Sequence, residues 1–202
     1  MAAFDHLAVS AATLEDGAAA IEDALGVAVG VGGVHPFMGT HNRLLGLGAG
    51  EYLEVIAVDP AAPPPPHPRW FRLDRFSGAP RLSNWIVRVD DLDAVLAMAP
   101  DGAGRAVDLE RGPYRWRMGV PDDGCLPFDD AFPALIEWRG NLHPAAALPD
   151  VGCRLLRLEV AHPDAAALRA ALPLSDPRLI VVPGEPALRA TIATPHGERR
   201  LG

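Results

Sequence analysis

Apolar positions along this chain change rhythm at regular intervals. Residues 4–9 form a short apolar run of strand type, and residues 11–25 then take helical spacing through Leu14, Ala18, Ile21 and Leu25. Thr13 is a suitable N-cap with Asp16 three residues on, and Gly26 stands where a left-handed C-terminal residue is wanted. Three β-prone runs follow at 27–34, 43–47 and 52–58, separated by the turn-forming stretches 35–40 and 48–50. The unit is therefore strand, helix and three strands.

Residues 59–68, with four consecutive prolines at 63–66, cannot continue a hydrogen-bonded ladder and read as a stiff extended linker. Beyond it the order returns, with a strand at 82–89, a short helix at 92–99 capped by Asp90 or Asp91, and strands at 106–110, 115–120 and 134–138. A third stretch begins alike, with a strand at 154–160, a helix at 163–172 and strands at 179–182 and 188–193, and stops one strand short. The pattern predicts an α+β protein with a βαβββ module at 1–60, a Pro-rich linker at 61–80, a second βαβββ module at 81–145 and a partial third βαββ unit at 150–202. The partial unit is suited to covering an open sheet edge, within the chain or in a homodimer.

Composition removes several function classes. A net charge of −8 leaves no basic stripe for phosphate backbones, which argues against nucleic acid as a partner. All 18 basic residues are arginine, a bias of genome composition and also the better residue for two-point binding of carboxylate or phosphate. Cys125 and Cys153 stand alone, and the acidic neighbours of Cys125 make it a poor thiolate nucleophile. With no signal-type leader and no membrane-spanning apolar run, a cytoplasmic protein without membrane contact is expected.

The chemistry then rests on a few polar residues in apolar surroundings. Glu54 interrupts Tyr52-Leu53-Glu54-Val55-Ile56 and Glu137 interrupts Ile136-Glu137-Trp138; each is either a paired or bound carboxylate inside a cupped sheet or a plain surface residue. His6, in the first strand, is a ligand, a base or a satisfied core histidine, and first and last strands lying side by side would bring it to Glu54. His35, His41 and Asn42 belong to a loop and strand entry rich in glycine, where they either contact a substrate carbonyl or serve as polar turn caps. His143 follows Glu137 closely enough to be a weaker candidate. The absence of a nucleophile elbow, a phosphate-cradling glycine loop and an HExxH helix argues against serine hydrolase, nucleotide-binding and zincin chemistry.

Taken together, Phe4-Asp5-His6-Leu7, Gly39-Thr40-His41-Asn42, Tyr52-Leu53-Glu54-Val55-Ile56, Pro127-Phe128 and Ile136-Glu137-Trp138 resemble the glyoxalase-like members of the vicinal oxygen chelate superfamily. The resemblance implies paired βαβββ modules forming a cupped mixed sheet around a divalent metal (Zn, Mn, Ni, Fe or Mg). It implies His6, Glu54 and Glu137 as ligands and places a fourth position at Trp85, which cannot coordinate. On this reading the chain is a small-molecule enzyme of lyase or isomerase type, with His41 and Glu137 in catalysis and His35, Asn42, Trp85, Phe128 and Trp138 around the substrate. The alternative is a metal-free cup that binds or sequesters a small molecule, as bleomycin-resistance relatives do. A structural homodimer is the third reading.

Overall fold

The computed structural model describes residues 1–48 and 50–202; Ala49, in the expected turn at 48–50, lies outside them. The first module runs β1 (Ala2–Ser10), α1 (Leu14–Leu25), β2 (Gly30–His35), β3 (Thr40–Gly46) and β4 (Tyr52–Val58). The second runs β5 (Arg81–Val89), α2 (Leu92–Leu96), β6 (Arg105–Arg111), β7 (Tyr114–Val120) and β8 (Ala134–Arg139). Thr13 accepts the Asp16 N–H and Asp91 that of Ala94, each satisfying a donor the first helical turn leaves unpaired. At the other end of α1, Gly26 takes φ 71° and its N–H closes on Glu22 O.

These eight strands make one mixed sheet in the order β2-β3-β4-β1-β5-β8-β7-β6. First and last strands of each module pair in parallel, β1 with β4 and β5 with β8, and the modules join antiparallel along β1 and β5. The outer strands β2 and β6 approach each other, so the sheet curls into a cup. Side chains alternate between its two faces. One face carries Phe4, Leu7, Leu53, Val55, Trp85, Val87 and Leu135 into a core with Leu14, Ile21 and Leu25 of α1 and Leu92 of α2. The other lines the cup with Ala8, Ile56, Ile86, Trp116, Met118, Ala134 and Ile136.

The proline-rich linker does more than span a distance. After it, the 3-10 segment Trp70–Arg75 buries Trp70, Phe71 and Leu73 inside the cup beside Met38. Arg69 fastens the segment by bonding the Gly39 carbonyl and the Asp74 carboxylate. One end of the cup is thereby stopped.

The third unit corrects the sequence reading twice. It contains β9 (Arg154–Ala161), α3 (Ala165–Ala171), β10 (Leu179–Val182), β11 (Ala187–Thr194) and a fourth strand, β12 (Gly197–Leu201), that the chain's last residues conceal behind Gly-Glu-Arg-Arg. It is also wired differently: β9 pairs in parallel with β10, the strand after its helix, in the order β10-β9-β11-β12. Nor does it extend the eight-stranded sheet. Leu155, Leu158, Val160, Leu188, Ile192 and Leu201 join the same core as Phe4 and Trp85, so the unit covers a face of the sheet rather than an edge.

Candidate active site

Strand parity builds the site. In β4, Tyr52 and Glu54 share the cup face with Ile56, and β3 supplies Asn42, which stands opposite Ile56. β1 reaches the same face through a bulge: the register shifts between Phe4 and His6, so that Phe4 enters the helix-side core while His6 stands opposite Ile86. Asp5 is the extra residue. It is fully buried, and its carboxylate accepts from His6 Nδ1 at 2.7 Å, Trp138 Nε1 at 3.0 Å and His143 Nε2 at 3.1 Å. Burial works to raise the Asp5 pKa, but hydrogen bonds from His143 and His6 outweigh it and hold the group well below the ordinary carboxylate range.

An ionised Asp5 accepts from the Nδ1–H of His6 and turns Nε2 the other way, into the cup. That nitrogen lies 3.7 Å from Glu54 Oε2, and the imidazole stacks on Tyr52 with ring centroids 4.3 Å apart. Burial, then the charges of Asp5 and Glu54, push the Tyr52 hydroxyl well above its usual pKa, so it stays protonated. Glu54 Oε1 accepts a short 2.5 Å bond from Asn42 Nδ2, while Asn42 Oδ1 takes the Gly33 N–H at 2.8 Å, which orients the amide. His35 closes the group, with Nε2 at 3.3 Å from Asn42 Nδ2 and Nδ1 at 3.0 Å from Thr40 Oγ1. Burial first, and the positive charge of Arg111 second, press its pKa down to about 3. His35 is thus a neutral hydrogen-bonding group.

Of the residues singled out in the sequence, His6, Glu54, His35, Asn42, Trp138 and the weaker candidate His143 come together here, and four others do not. Glu137 faces the helix side, where it accepts the Leu92 N–H at 3.1 Å and pairs with Arg139 at 2.7 Å and Arg117 at 3.5 Å. Trp85 is a core residue on that side, its Nε1 donating to Ala131 O. His41 stands opposite Ala57 in the ladder and shares Ala57's helix-side face. Phe128 packs against the helix-side core and edge-on to His162. The order of elements was right and the register was off by one: β5 and β8 offer Ile86 and Ile136 where the first module offers His6 and Glu54. Asp5 and Tyr52 belong to the site as well: the single-residue bulge that turns Asp5 inward is invisible in a period-2 pattern, and Tyr52 reads as an ordinary strand aromatic.

The expected metal set of His6, Glu54 and Glu137 does not fit, because the third carboxylate is on the opposite face of the sheet. Among the described residues no group of three or more His, Cys, Asp or Glu side chains is placed to hold a metal ion. His35 Nε2 lies 3.9 Å from Glu54 Oε1, and Asn42 Nδ2 contacts both, at 3.3 and 2.5 Å.

A cleft of about 680 Å³ opens beside the outer strands of the cup. Gly32, Gly33 and Val34 of β2, Leu44 of β3, Arg111 and Tyr114 of the β6–β7 hairpin and Pro144 to Pro149 surround it. Leu44 stands opposite Glu54 in the ladder, and Tyr114 packs edge-on to Trp138, so the cleft abuts the buried group.

Two strand-helix-three-strand modules, joined through their first strands into a curled sheet with polar groups on the inner wall, define a vicinal oxygen chelate fold. The chain belongs to the glyoxalase-like domain family, which matches residues 4–174. A solved structure of a hypothetical protein from Staphylococcus aureus superposes with a TM-score of 0.62 at 14% identity, covering 91% of this chain and 86% of that one. Methylmalonyl-CoA epimerase from Mycobacterium tuberculosis aligns with a TM-score of 0.45 at 19% identity, over 71% of this chain and 91% of that one. The Streptomyces coelicolor methylmalonyl-CoA epimerase in complex with 2-nitronate-propionyl-CoA gives 0.44 and 17%, over 70% and 98%. No curated protein matches the chain.

Proposed function

We propose that the protein is a small-molecule enzyme of isomerase or lyase type that moves a proton on a carbonyl-bearing substrate in the cup. One observation carries this reading: the imidazole of His6, held by a buried carboxylate, turns its free nitrogen toward Glu54 across 3.7 Å, beside a cleft large enough for a small substrate. His6 Nε2 takes the proton from the carbon next to the carbonyl, leaving an enolate and an imidazolium whose Nδ1–H remains bonded to Asp5. Glu54 Oε2, 3.7 Å from His6 Nε2, then receives that same proton from the imidazolium and returns it to the accepting atom, which restores both groups. Asn42 holds Glu54 in place, and the buried Trp70 N–H, which has no partner among the described residues, is available to a substrate oxygen.

The first module supplies both proton-transfer groups, and Ile86 and Ile136 of the second supply apolar wall. Apolar surroundings strengthen the charge interactions of the pair. The metal-dependent reading and the purely sequestering reading are distinguished from this one by two measurements. Elemental analysis of chelator-free protein gives much less than one divalent ion per chain if the proton-transfer reading holds. Nuclear magnetic resonance in D2O, with a panel of 2-oxo acids and 2-substituted thioesters, is expected to show loss of the carbon-bound proton in at least one member. His6→Asn and Glu54→Gln are expected to lower that exchange by about 10²–10⁴-fold, the usual contribution of a positioned acid or base. Exchange that persists in both variants, or is absent across the panel, overturns the reading.

A further inference from the structure

Three residues of the β6–β7 hairpin carry guanidinium groups near one another, and two of them are neutralised. Arg115 pairs with Glu110 at 2.9 Å, and Arg117 with Asp93 at 2.7 Å. Arg111, between them and the cleft, has no carboxylate within salt-bridge distance among the described residues, and it makes no hydrogen bond with them either. It is nevertheless half-buried and held: its side-chain stem lies so close to Gly33 that a Cβ there would meet Arg111 Cδ at 2.9 Å, and its guanidinium sits 5.5 Å from the centre of the Tyr114 ring. A side chain at position 33 would therefore push the arginine aside. Its charge reaches inward, since both His35 and Tyr52 feel it.

A guanidinium with no carboxylate partner among the described residues, at the mouth of a cleft also lined by Val31, Val34, Leu44, Pro144, Leu148 and a Glu110 already paired with Arg115, is a receptor for one negative charge on an otherwise apolar molecule. We infer that the substrate carries a carboxylate, which Arg111 holds in two-point contact at the cleft mouth, and an apolar body that places the reacting carbon against His6 and Glu54. Arg111 is then a binding and positioning residue, outside the proton transfer itself. The inference rests on the cup being the reaction site, and it deepens that reading by naming the chemical class of the substrate.

The test uses the whole protein and reads binding alone, through the fluorescence of Trp116 and Trp138. Hexanoate, hexanamide and inorganic phosphate are the probes. Wild type is expected to bind hexanoate roughly 10-fold or more tightly than hexanamide, the size of a charge-assisted contact. Arg111→Gln is expected to reduce hexanoate to the hexanamide level, Arg111→Lys to give an intermediate value, and Arg115→Gln on the same hairpin to leave binding unchanged. Thermal melts confirm that each variant folds. Equal affinity for hexanoate and hexanamide, no loss in Arg111→Gln, or inorganic phosphate binding as tightly as hexanoate each overturns the inference. Arg111-dependent hexanoate binding without proton exchange in the panel keeps the anchor and removes the catalytic reading. Exchange with a KM unmoved by Arg111→Gln does the reverse.

Discussion

His35 links protonation to stability between about pH 6.5 and 4. Its folded pKa of about 3 lies below the 6.5 of an unfolded histidine, so the unfolded chain binds a proton that the native state refuses. The contribution is fully present above about pH 6.5 and drains away as pH falls toward 3, with a limiting slope of about 1.4 kcal/mol per pH unit. Asp5, whose folded pKa is also depressed, adds the same sign of effect only below its ordinary value of 3.8. Urea midpoints of the wild type are therefore expected to decline between pH 6.5 and 4, and those of His35→Gln to decline less steeply over that interval. A variant that declines as steeply as the wild type sinks the assignment. At this scale the sequence was only partly legible. His6, Glu54, His35 and Asn42 stood out as polar residues in apolar runs, but the partner that orients His6 is its own neighbour, Asp5, turned inward by a bulge that no alternation records.

At the scale of elements, α2 illustrates why register decides function. The short helix has its first amide met by the carboxylate of Glu137 from β8, a favourable place for an anion. Glu137→Gln is expected to cost about 1–2 kcal/mol in urea unfolding, through the weakened cap and the lost pairs with Arg117 and Arg139, while leaving proton exchange in the cup unchanged. A loss of exchange comparable to that of Glu54→Gln would return Glu137 to the site. Strands β4 and β8 both read as an apolar run with one glutamate, and order alone made them equivalent. The ladders separate them: Ala8 opposes Glu54 in the first module, and Arg88 opposes Ile136 in the second. Most elements were legible because periodicity and caps agree, as at Thr13 and Gly26. The strand Gly197–Leu201 was not, because an edge strand that buries little besides Leu201 carries no apolar rhythm.

Across the whole molecule, one core runs through both sheets. Phe4, Trp85 and Val87 of the large sheet share it with Leu158, Val160 and Ile192 of the small one, and Arg178 reaches from the third unit to Glu51 with bonds of 2.8 and 2.7 Å. Calorimetry is expected to show a single unfolding transition, with Leu158→Ala lowering it as a whole by about 2–5 kcal/mol. Two separated transitions, only one of them moved by the substitution, would show the third unit to be an independent body.

The stopper formed by Trp70, Phe71 and Leu73 has a kinetic side. With one end of the cup filled by these side chains, a product of the proposed reaction would leave by the route through which substrate enters, and the two would compete for it. The insertion between the two modules would then bear on the traffic of the site as well as on its packing.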